Sequence, residues 1–422
     1  MQMCSNYYRM IRFIIAPQVR NFKAFAWAFL FLFFFIQNLR PQIFSRVEVI
    51  IKTDSDVELG AERMNEYMPI LKGKRVALVA NHTSLIGNTH LVDTLRSLKV
   101  NIVKVFAPEH GFRGAADAGE KVKSTKDAKT GLPLISLYGD NKKPKPEQLA
   151  DVDVVIFDIQ DVGARFYTYI STLSLVMEAC AEKDIQLIVL DRPNPNGHYT
   201  DGPVLDSAFS SFVGMHPVPV VHGMSVGEYA KMVNGEGWLK GKLKCKLQVI
   251  SCKGWQHNQY YQLTVPPSPN LQTMNAIYLY PSLCFFEGTI VSIGRGTPKP
   301  FEMIGFPECT QGNFSFTPKS GPGSKSPPYE NKECKGFDLS GFGENFLRDT
   351  KSIYLFWLQN LYESSGKNPK YFNDFFDKLA GTDKLRKQIL EGKTEVEIRK
   401  SWEPGLNTYR QIRKKYLLYP EG

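Results

Sequence analysis

Apolar runs alternate with amphipathic segments along the first two thirds of the chain. The runs are apolar almost throughout, as expected for strands that are buried on both faces, and the segments between them have the spacing of helices. We predict strands at 75–81, 101–107, 134–138, 153–160, 185–191 and 218–222, and helices at 91–98, 166–183 and 225–234. This alternation predicts an α/β domain with a parallel sheet covered by helices on both faces.

The pattern changes near residue 268, where strand–helix alternation largely stops. A stretch rich in Gly, Pro and Ser at 317–328 predicts a surface loop. Helical spacing returns at 345–363, 370–378 and 383–391. We therefore expect a sheet domain at 61–270 and a second, smaller domain at 271–422.

The amino-terminal segment differs from the rest of the chain. Thirteen consecutive apolar residues at 24–36 follow Arg20 and Lys23. As a helix they would extend about 20 Å, which is shorter than the roughly 30 Å apolar core of a bilayer. We interpret residues 1–40 as a signal peptide or amino-terminal anchor and 41–60 as a linker. The protein is then expected in the periplasm or associated with the cell envelope, with membrane contact only through this segment.

The net charge does not indicate a nucleic-acid partner. The formal charge is +10, but the first 52 residues carry +6 of it, and the rest is nearly balanced, with no basic stripe. Six cysteines follow the leader, and no C-x-x-C pair occurs among them, which excludes the common zinc and thioredoxin motifs. The spacing leaves disulfides between Cys245 and Cys252, or between Cys309 and Cys334, open.

Polar residues follow most of the predicted strands at the point where each strand ends. The carboxyl ends of parallel strands share one edge of a sheet, and ligands of such sheets bind there. We therefore expect a site built from Asn81, Glu109, His110, Asp158, Asp161, Asn194 and His222.

Three motifs of common cofactor-binding and metal-binding enzymes are absent from the sequence. It has no G-x-G-x-x-G, phosphate-loop or H-E-x-x-H pattern, so we predict no cofactor and no metal. Acid–base chemistry by carboxyl groups remains. Glu109 is the leading candidate, because a carboxyl near apolar walls favours the protonated form that a general acid needs. A simple ion pair between Glu109 and Arg113 is the alternative.

Further polar residues extend this interpretation. Glu120, Asp158 and Asp161 are additional acidic candidates. Arg113, Arg165, Arg192 and Arg295 could hold an anionic group of the substrate, and we expect one of Arg113, Arg165 or Arg295 to bind its carboxylate. Metal-assisted hydrolysis by His82, His110 and His222 remains an alternative mechanism.

Several long motifs resemble one known family. They are FAPEHGFRGAADAGE (106–120), TGLPLISLYG (130–139), DIQDVGARFYTYI (158–170), LDRPNPNG (190–197), VPVVHGMSVGEYA (218–230), YPSLCFFEGTIVSIGRGTPKPFEMIG (280–305) and the closing YLLY (416–419). Together they resemble the exo-β-N-acetylmuramidases of bacterial cell-wall recycling over nearly everything from 59 to 419. Only the leader and the 317–328 loop lie outside the resemblance.

The resemblance implies a Rossmann-like catalytic domain without a nucleotide and a smaller α+β carboxyl-terminal domain that completes the cleft. It implies an exo-acting glycosidase that releases terminal N-acetylmuramic acid from peptidoglycan fragments, with Glu109 of the EHG motif as general acid. His110 and Asp158 are then further catalytic candidates. The partner carboxyl of Glu109 could be Asp158, Asp161, Glu120 or Glu287, or the 2-acetamido group of the substrate could act as the nucleophile instead. The candidate substrate-binding residues are Asn81, Arg113, Glu120, Asp161, Arg165, Tyr167, Asn194, His222, Glu287 and Arg295. A sugar-binding protein without catalysis is the alternative of a different class, and the oligomeric state stays open.

Overall fold

The computed structural model describes residues 57–109, 111–113 and 125–422. The predicted leader at 1–40 lies outside the described residues, as do most of the predicted linker, His110 and Glu120.

A seven-stranded sheet forms the amino-terminal part, and its strands are close to those predicted. The strands are β1 Val76–Ala80, β4 Ile102–Ala107, β5 Thr125–Lys126, β6 Pro133–Ser136, β7 Val154–Asp158, β8 Gln186–Leu190 and β9 Lys246–Ile250. They are arranged in the order β5, β6, β4, β1, β7, β8, β9. Only β5 runs antiparallel to its neighbour, and the other pairs are parallel. A small hairpin, β2 Leu85–Ile86 with β3 Thr89–His90, follows β1.

Helices cover both faces of the sheet, because successive residues of each buried strand point to opposite sides. Val76, Leu78 and Ala80 of β1 belong to one hydrophobic cluster, which also contains residues of helices α1 Met64–Leu71 and α2 Leu91–Ser97. Ala77 and Val79 belong to a larger cluster with helices α3 Tyr169–Glu182 and α4 Val226–Gly235. The α/β fold with a mostly parallel sheet is therefore confirmed.

One predicted strand was wrong, and among the parallel strands of the central sheet β9 was missed. The segment 218–222 forms no regular strand, because its backbone bonds to irregular loops: Arg165 N donates to the Val220 carbonyl at 2.7 Å, and Leu205 N to the Val218 carbonyl at 3.1 Å. The last parallel strand is instead β9, which pairs with β8. Its residues are mostly half-buried at the edge of the sheet, so it lacks the wholly apolar pattern used for the prediction.

The smaller carboxyl-terminal part is mainly helical. Its helices are α5 Met274–Leu283, α6 Arg348–Thr350, α7 Phe356–Ser364, α8 Phe375–Ala380, α9 Lys384–Leu390 and α10 Glu395–Lys414. Strands β10 Met303–Phe306, β11 Phe314–Phe316 and β12 Cys334–Asp338 form an antiparallel sheet with β12 in the centre. Buried residues of this part, among them Phe285, Phe376 and Tyr409, join the larger cluster behind the central sheet.

One helical prediction for this part was wrong, and one helix was not predicted. The segment expected as one helix at 345–363 is broken at Lys351, which has a φ of 52°. The twenty-residue helix α10 was not predicted, although Thr394 caps its first turn by accepting a hydrogen bond from Glu397 N. The helix is polar overall and contains Pro404, so the sequence pattern does not reveal its apolar face. That face carries Ile398, Trp402 and Tyr409.

The cysteines after the leader are all free and buried. Neither of the two disulfides left open by their spacing is therefore present. Within the described part of the chain, none of the helices combines the length and the hydropathy needed to cross a bilayer.

Candidate active site

A cavity of about 640 Å³ lies at the carboxyl-terminal edge of the sheet. Its described lining combines residues that follow β4, β6, β7, β8 and β9 with residues of the carboxyl-terminal part. Its described lining includes eight aromatic side chains: Tyr138, Phe166, Tyr167, Tyr169, Phe212, Tyr280, Phe301 and Phe375. The charged side chains of the described lining are Glu109, Glu287, Arg295 and Lys325. This volume and this mixture of flat apolar surface with few charges are typical of a small-molecule site.

Glu109 is held at the end of β4 by a turn and by neighbouring hydroxyl groups. Pro108 ends the strand, and its carbonyl accepts a hydrogen bond from Gly111 N at 3.1 Å, where a φ of 76° favours glycine. The Thr168 hydroxyl donates to Glu109 Oε2 at 3.1 Å. Burial raises the pKa of Tyr138, and the nearby charge of Glu109 and a hydrogen bond to its carboxyl add to this rise. The Glu109 carboxyl is thus oriented towards the cavity by groups from two other loops.

Two tyrosines after β7 are fixed by hydrogen bonds behind the cavity wall. The Tyr167 hydroxyl donates to the Pro267 carbonyl at 2.8 Å, and the two rings of Tyr167 and Tyr169 meet edge to face at 4.9 Å. Asn81, which is fully buried, donates from Nδ2 to the Tyr169 hydroxyl at 3.0 Å. Asn81 therefore supports the wall without lining the cavity.

Glu287 and Arg295, which also line the cavity, form an ion pair. Arg295 Nε donates to Glu287 Oε1 at 3.0 Å, and a second guanidinium nitrogen contacts the same oxygen. The guanidinium also lies 5.1 Å from the centre of the Phe301 ring. Charges of both signs are therefore present in this part of the lining, within a largely aromatic setting.

Four of the predicted site residues line the cavity: Glu109, Tyr167, Glu287 and Arg295. Two predicted arginines do not. Arg113 donates from Nε and Nη2 to the two oxygens of Asp127, each at 2.9 Å. Arg165 is 1% exposed and donates to the carbonyls of Pro203, Val218 and Leu379, so it joins the sheet to α8. Neither guanidinium is placed to bind a substrate in this cavity.

Asp158 also lies away from the described cavity lining. It is fully buried at the end of β7, and both of its oxygens accept from Arg192, at 2.6 Å and 2.9 Å. Arg192 donates further to the Leu85 carbonyl at 2.9 Å. This buried ion pair joins the ends of three strand-to-loop connections and engages both oxygens of Asp158.

The remaining predicted polar residues are also interior. Asp161 Oδ1 accepts from Gly163 N at 2.7 Å, and burial raises the pKa of this carboxyl to about 7. His222 Nε2 lies 3.9 Å from Asp161 Oδ1, and burial lowers the pKa of the imidazole to about 3. Asn194 donates to the Met224 carbonyl at 2.9 Å, and its side chain fills the space that a Cβ on Gly163 would need. These residues pack the loops behind the site.

Several lining residues were not singled out from the sequence. Tyr138 lies two residues after β6, so the strand-end rule would have found it had the strand been ended at Ser136. Thr168 and Tyr169 lie inside the motif at 158–170, from which other residues were predicted to form the site. Ser268, Asn270 and Lys325 come from segments that carry no strand-end signal.

Within the described residues, the histidines proposed as metal ligands do not form a metal-binding cluster. His82 Nε2 donates to the Pro266 carbonyl at 2.8 Å, while His222 is buried beside Asp161. Among residues 57–109, 111–113 and 125–422, no group of three or more His, Cys, Asp or Glu side chains is placed to hold a metal ion.

Comparison with known proteins gives consistent matches along the chain. Residues 76–275 match the model of the amino-terminal part of the exo-β-N-acetylmuramidase NamZ, and residues 278–419 match that of its carboxyl-terminal part. The peptidoglycan β-N-acetylmuramidase NamZ of Bacillus subtilis (strain 168) is 38% identical over 375 residues, which cover 84% of this chain and 89% of the relative.

Two solved structures have the same fold. Both are DUF1343 family proteins from Bacteroides fragilis NCTC 9343. One is 48% identical, with a TM-score of 0.81 over 87% of this chain and 100% of its own. The other is 30% identical, with a TM-score of 0.73 over 86% of this chain and 99% of its own. On these matches, the chain belongs to the NamZ family of exo-β-N-acetylmuramidases.

Proposed function

We propose that this protein is an exo-acting glycosidase that releases terminal N-acetylmuramic acid from peptidoglycan fragments, with Glu109 as general acid. The observation that most directly supports this proposal is that Glu109 lines a cavity of about 640 Å³ with aromatic walls. The activity named for the Bacillus relative supports the same reaction. Aromatic rings offer flat surfaces for the apolar faces of a sugar, and the carboxyl supplies a proton.

The proposed step is hydrolysis of the glycosidic bond. Glu109 donates its proton to the bridging oxygen as the bond from that oxygen to the anomeric carbon breaks. A water molecule then adds to the anomeric carbon and releases one proton, which by way of solvent restores the protonated Glu109. The Thr168 hydroxyl, 3.1 Å from Glu109 Oε2, orients the carboxyl for this transfer. Tyr138 contacts the same carboxyl from the loop after β6.

Glu287 is our candidate for the second carboxyl group of the site. Glycosidases commonly use two carboxyl groups around the scissile bond. Of the candidates named from the sequence for this role, Asp158 and Asp161 lie away from the cavity lining, Glu120 lies outside the described residues, and Glu287 lines the cavity. Its side chain forms an ion pair with Arg295. We assign Glu287 the stabilisation of positive charge that develops at the anomeric carbon.

Replacement of Glu109 tests the assignment. Glu109→Gln removes the transferable proton but keeps the size of the side chain and an acceptor for the Thr168 hydroxyl. We expect kcat on a chromogenic N-acetylmuramide to fall by roughly two or more decades, with little change in KM. Glu147→Gln, at an exposed position on another surface, is the matched control and should retain full activity. Near-normal turnover of Glu109→Gln would remove Glu109 from the mechanism.

Arg295 is proposed to recognise the lactyl carboxylate that distinguishes a muramide from a glucosaminide. Of the three arginines considered for this role, it is the one that lines the cavity. Arg295→Met should lower kcat/KM for the muramide by roughly 10- to 100-fold and affect an N-acetylglucosaminide much less. Arg113→Met, away from the cavity lining, should leave the ratio between the two sugars unchanged. Equal losses on both sugars in Arg295→Met would contradict the assignment.

Export is part of the proposal. The apolar segment at 24–36, preceded by Arg20 and Lys23, supports an export signal or anchor. A peptidoglycan substrate is consistent with a location in the periplasm or cell envelope.

A further inference from the structure

The loop at 317–328 forms part of the wall of the candidate active site. This segment is outside the motifs that resemble the family, and its composition predicted an ordinary surface loop. In the structure, Gly323, Ser324, Lys325, Ser326 and Pro328 line the same cavity as Glu109 and Arg295. A segment that the sequence motifs did not single out thus contributes to the site.

The loop is anchored by hydrogen bonds at several points. Asn270, itself 4% exposed, donates from Nδ2 to the Gly323 carbonyl at 2.8 Å. Gly321 and Ser324 exchange two backbone hydrogen bonds of 3.1 Å, and the Ser320 hydroxyl donates to the Lys325 carbonyl at 2.7 Å. These bonds fix the tight turn that presents Ser324 and Lys325.

The base of the loop packs against the residue next to Arg295. Lys319 N donates to the Gly296 carbonyl at 2.8 Å. A Cβ on Gly296 would lie 2.6 Å from both the Lys319 carbonyl oxygen and Pro327 Cγ, so close packing requires glycine there. The position of the loop is therefore coupled to the wall that carries Arg295.

The two cations of the described lining differ in their exposure. The Arg295 side chain is 22% exposed, whereas Lys325 is one of the exposed residues of the loop. On the proposed function the cavity encloses a terminal sugar, and a peptide attached to the lactyl group of that sugar would extend out of the cavity towards solvent. An ammonium group at the mouth is suited to a carboxylate on such a substituent.

We propose that the 317–328 loop is a specificity-determining wall and that Lys325 binds a carboxylate of the substrate at the cavity mouth. This inference rests on the proposed function and deepens it. The carboxylate has two possible sources, the lactyl group of muramic acid itself or an acidic peptide attached to that group. Both present the same chemistry to Lys325, and substrates can separate them.

Three chromogenic muramides test the proposal. The first has the free lactyl carboxylate, the second has the lactyl group as a neutral methylamide, and the third carries an acidic dipeptide on the lactyl group. The variants are Lys325→Met and Lys325→Arg, with Lys332→Met as the matched control, because Lys332 is exposed and does not belong to the cavity lining. kcat and KM are measured for each pair of enzyme and substrate.

We expect Lys325→Met to raise KM roughly three- to tenfold for a carboxylate-bearing substrate and to leave the neutral methylamide unchanged. Lys325→Arg should retain most of the preference, and Lys332→Met all of it. A loss confined to the first substrate identifies the lactyl carboxylate, and a loss confined to the third identifies the peptide. Equal effects on all three substrates, or none on any, would overturn the proposal.

Failure of the proposed function is distinguishable from failure of this inference. If the wild-type protein hydrolyses none of the three glycosides, the proposed function is wrong. Binding of the same compounds, measured by calorimetry, then decides the role of Lys325, since weaker binding of the charged compounds alone by Lys325→Met supports it. Identical affinities of wild type and Lys325→Met for all three compounds would overturn it.

Discussion

At the scale of single residues, Asp161 and His222 show that the protein interior behind the site disfavours charged side chains. Each has a side-chain atom, Asp161 Oδ2 and His222 Nε2, that is buried and has no hydrogen-bond partner among the described residues. Burial raises the pKa of Asp161 to about 7 and lowers that of His222 to about 3. Both shifts favour the neutral form, because a charge in this low-dielectric region is poorly compensated.

The Asp161 shift makes folding stability depend on pH. In the unfolded chain its pKa is near 3.9, so between about pH 4 and 7 the folded state holds a proton that the unfolded state has lost. Its contribution therefore stabilises the folded state at low pH and is lost as the pH rises through 7. Asp161→Asn should remove this loss, with a relative gain over wild type on the order of 4 kcal/mol between pH 4 and pH 8.

Chemical denaturation of both proteins across this pH range measures the effect. His222 acts in the opposite direction, since its lowered pKa favours folding as the pH rises from about 3 to 6.5, so only the difference between Asp161→Asn and wild type isolates Asp161. Asp374→Asn, at an exposed position, is the matched control. A difference between Asp161→Asn and wild type that stays constant with pH would show that Asp161 ionises normally in the folded protein.

At the scale of elements, polar strand ends serve two different purposes. The loops after β4, β6 and β7 contribute Glu109, Tyr138 and Thr168 to the cavity. Polar residues after β7 and β8 instead form buried contacts, such as the pair of Asp158 and Arg192. The sequence pattern predicts that all these residues gather at one edge, but it does not tell which of them face the cavity.

That distinction depends on chain segments far away in sequence. The Pro267 carbonyl accepts from Tyr167, and the Leu379 carbonyl accepts from Arg165, which turns one residue of the motif to the cavity wall and the other into the core. Local hydrophobic periodicity carries no information on such partners. It does identify strands such as β1 and β7 that are buried on both faces, and it fails for β9 at the edge, where burial is partial.

At the scale of the whole molecule, the described carboxyl-terminal part is integrated with the sheet. Its buried residues share one hydrophobic cluster with α3 and α4, and its side chains line the cavity together with Glu109. The site therefore depends on both parts being folded together. Isolated fragments that end near residue 270 would expose a large part of this shared core.

The predicted leader is proposed to act separately from this folded body. Residues 24–36 are apolar at every position and offer no polar face for an amphipathic helix on a soluble domain, while positive charge precedes them, as export signals require. Deletion of residues 1–40 should therefore give a more soluble protein with unchanged specific activity on a chromogenic muramide. Fractionation of cells that produce the full chain should recover it in the periplasmic or membrane fraction. Unfolding of the shortened protein, or a wholly cytoplasmic full chain, would instead place residues 24–36 in the folded domain.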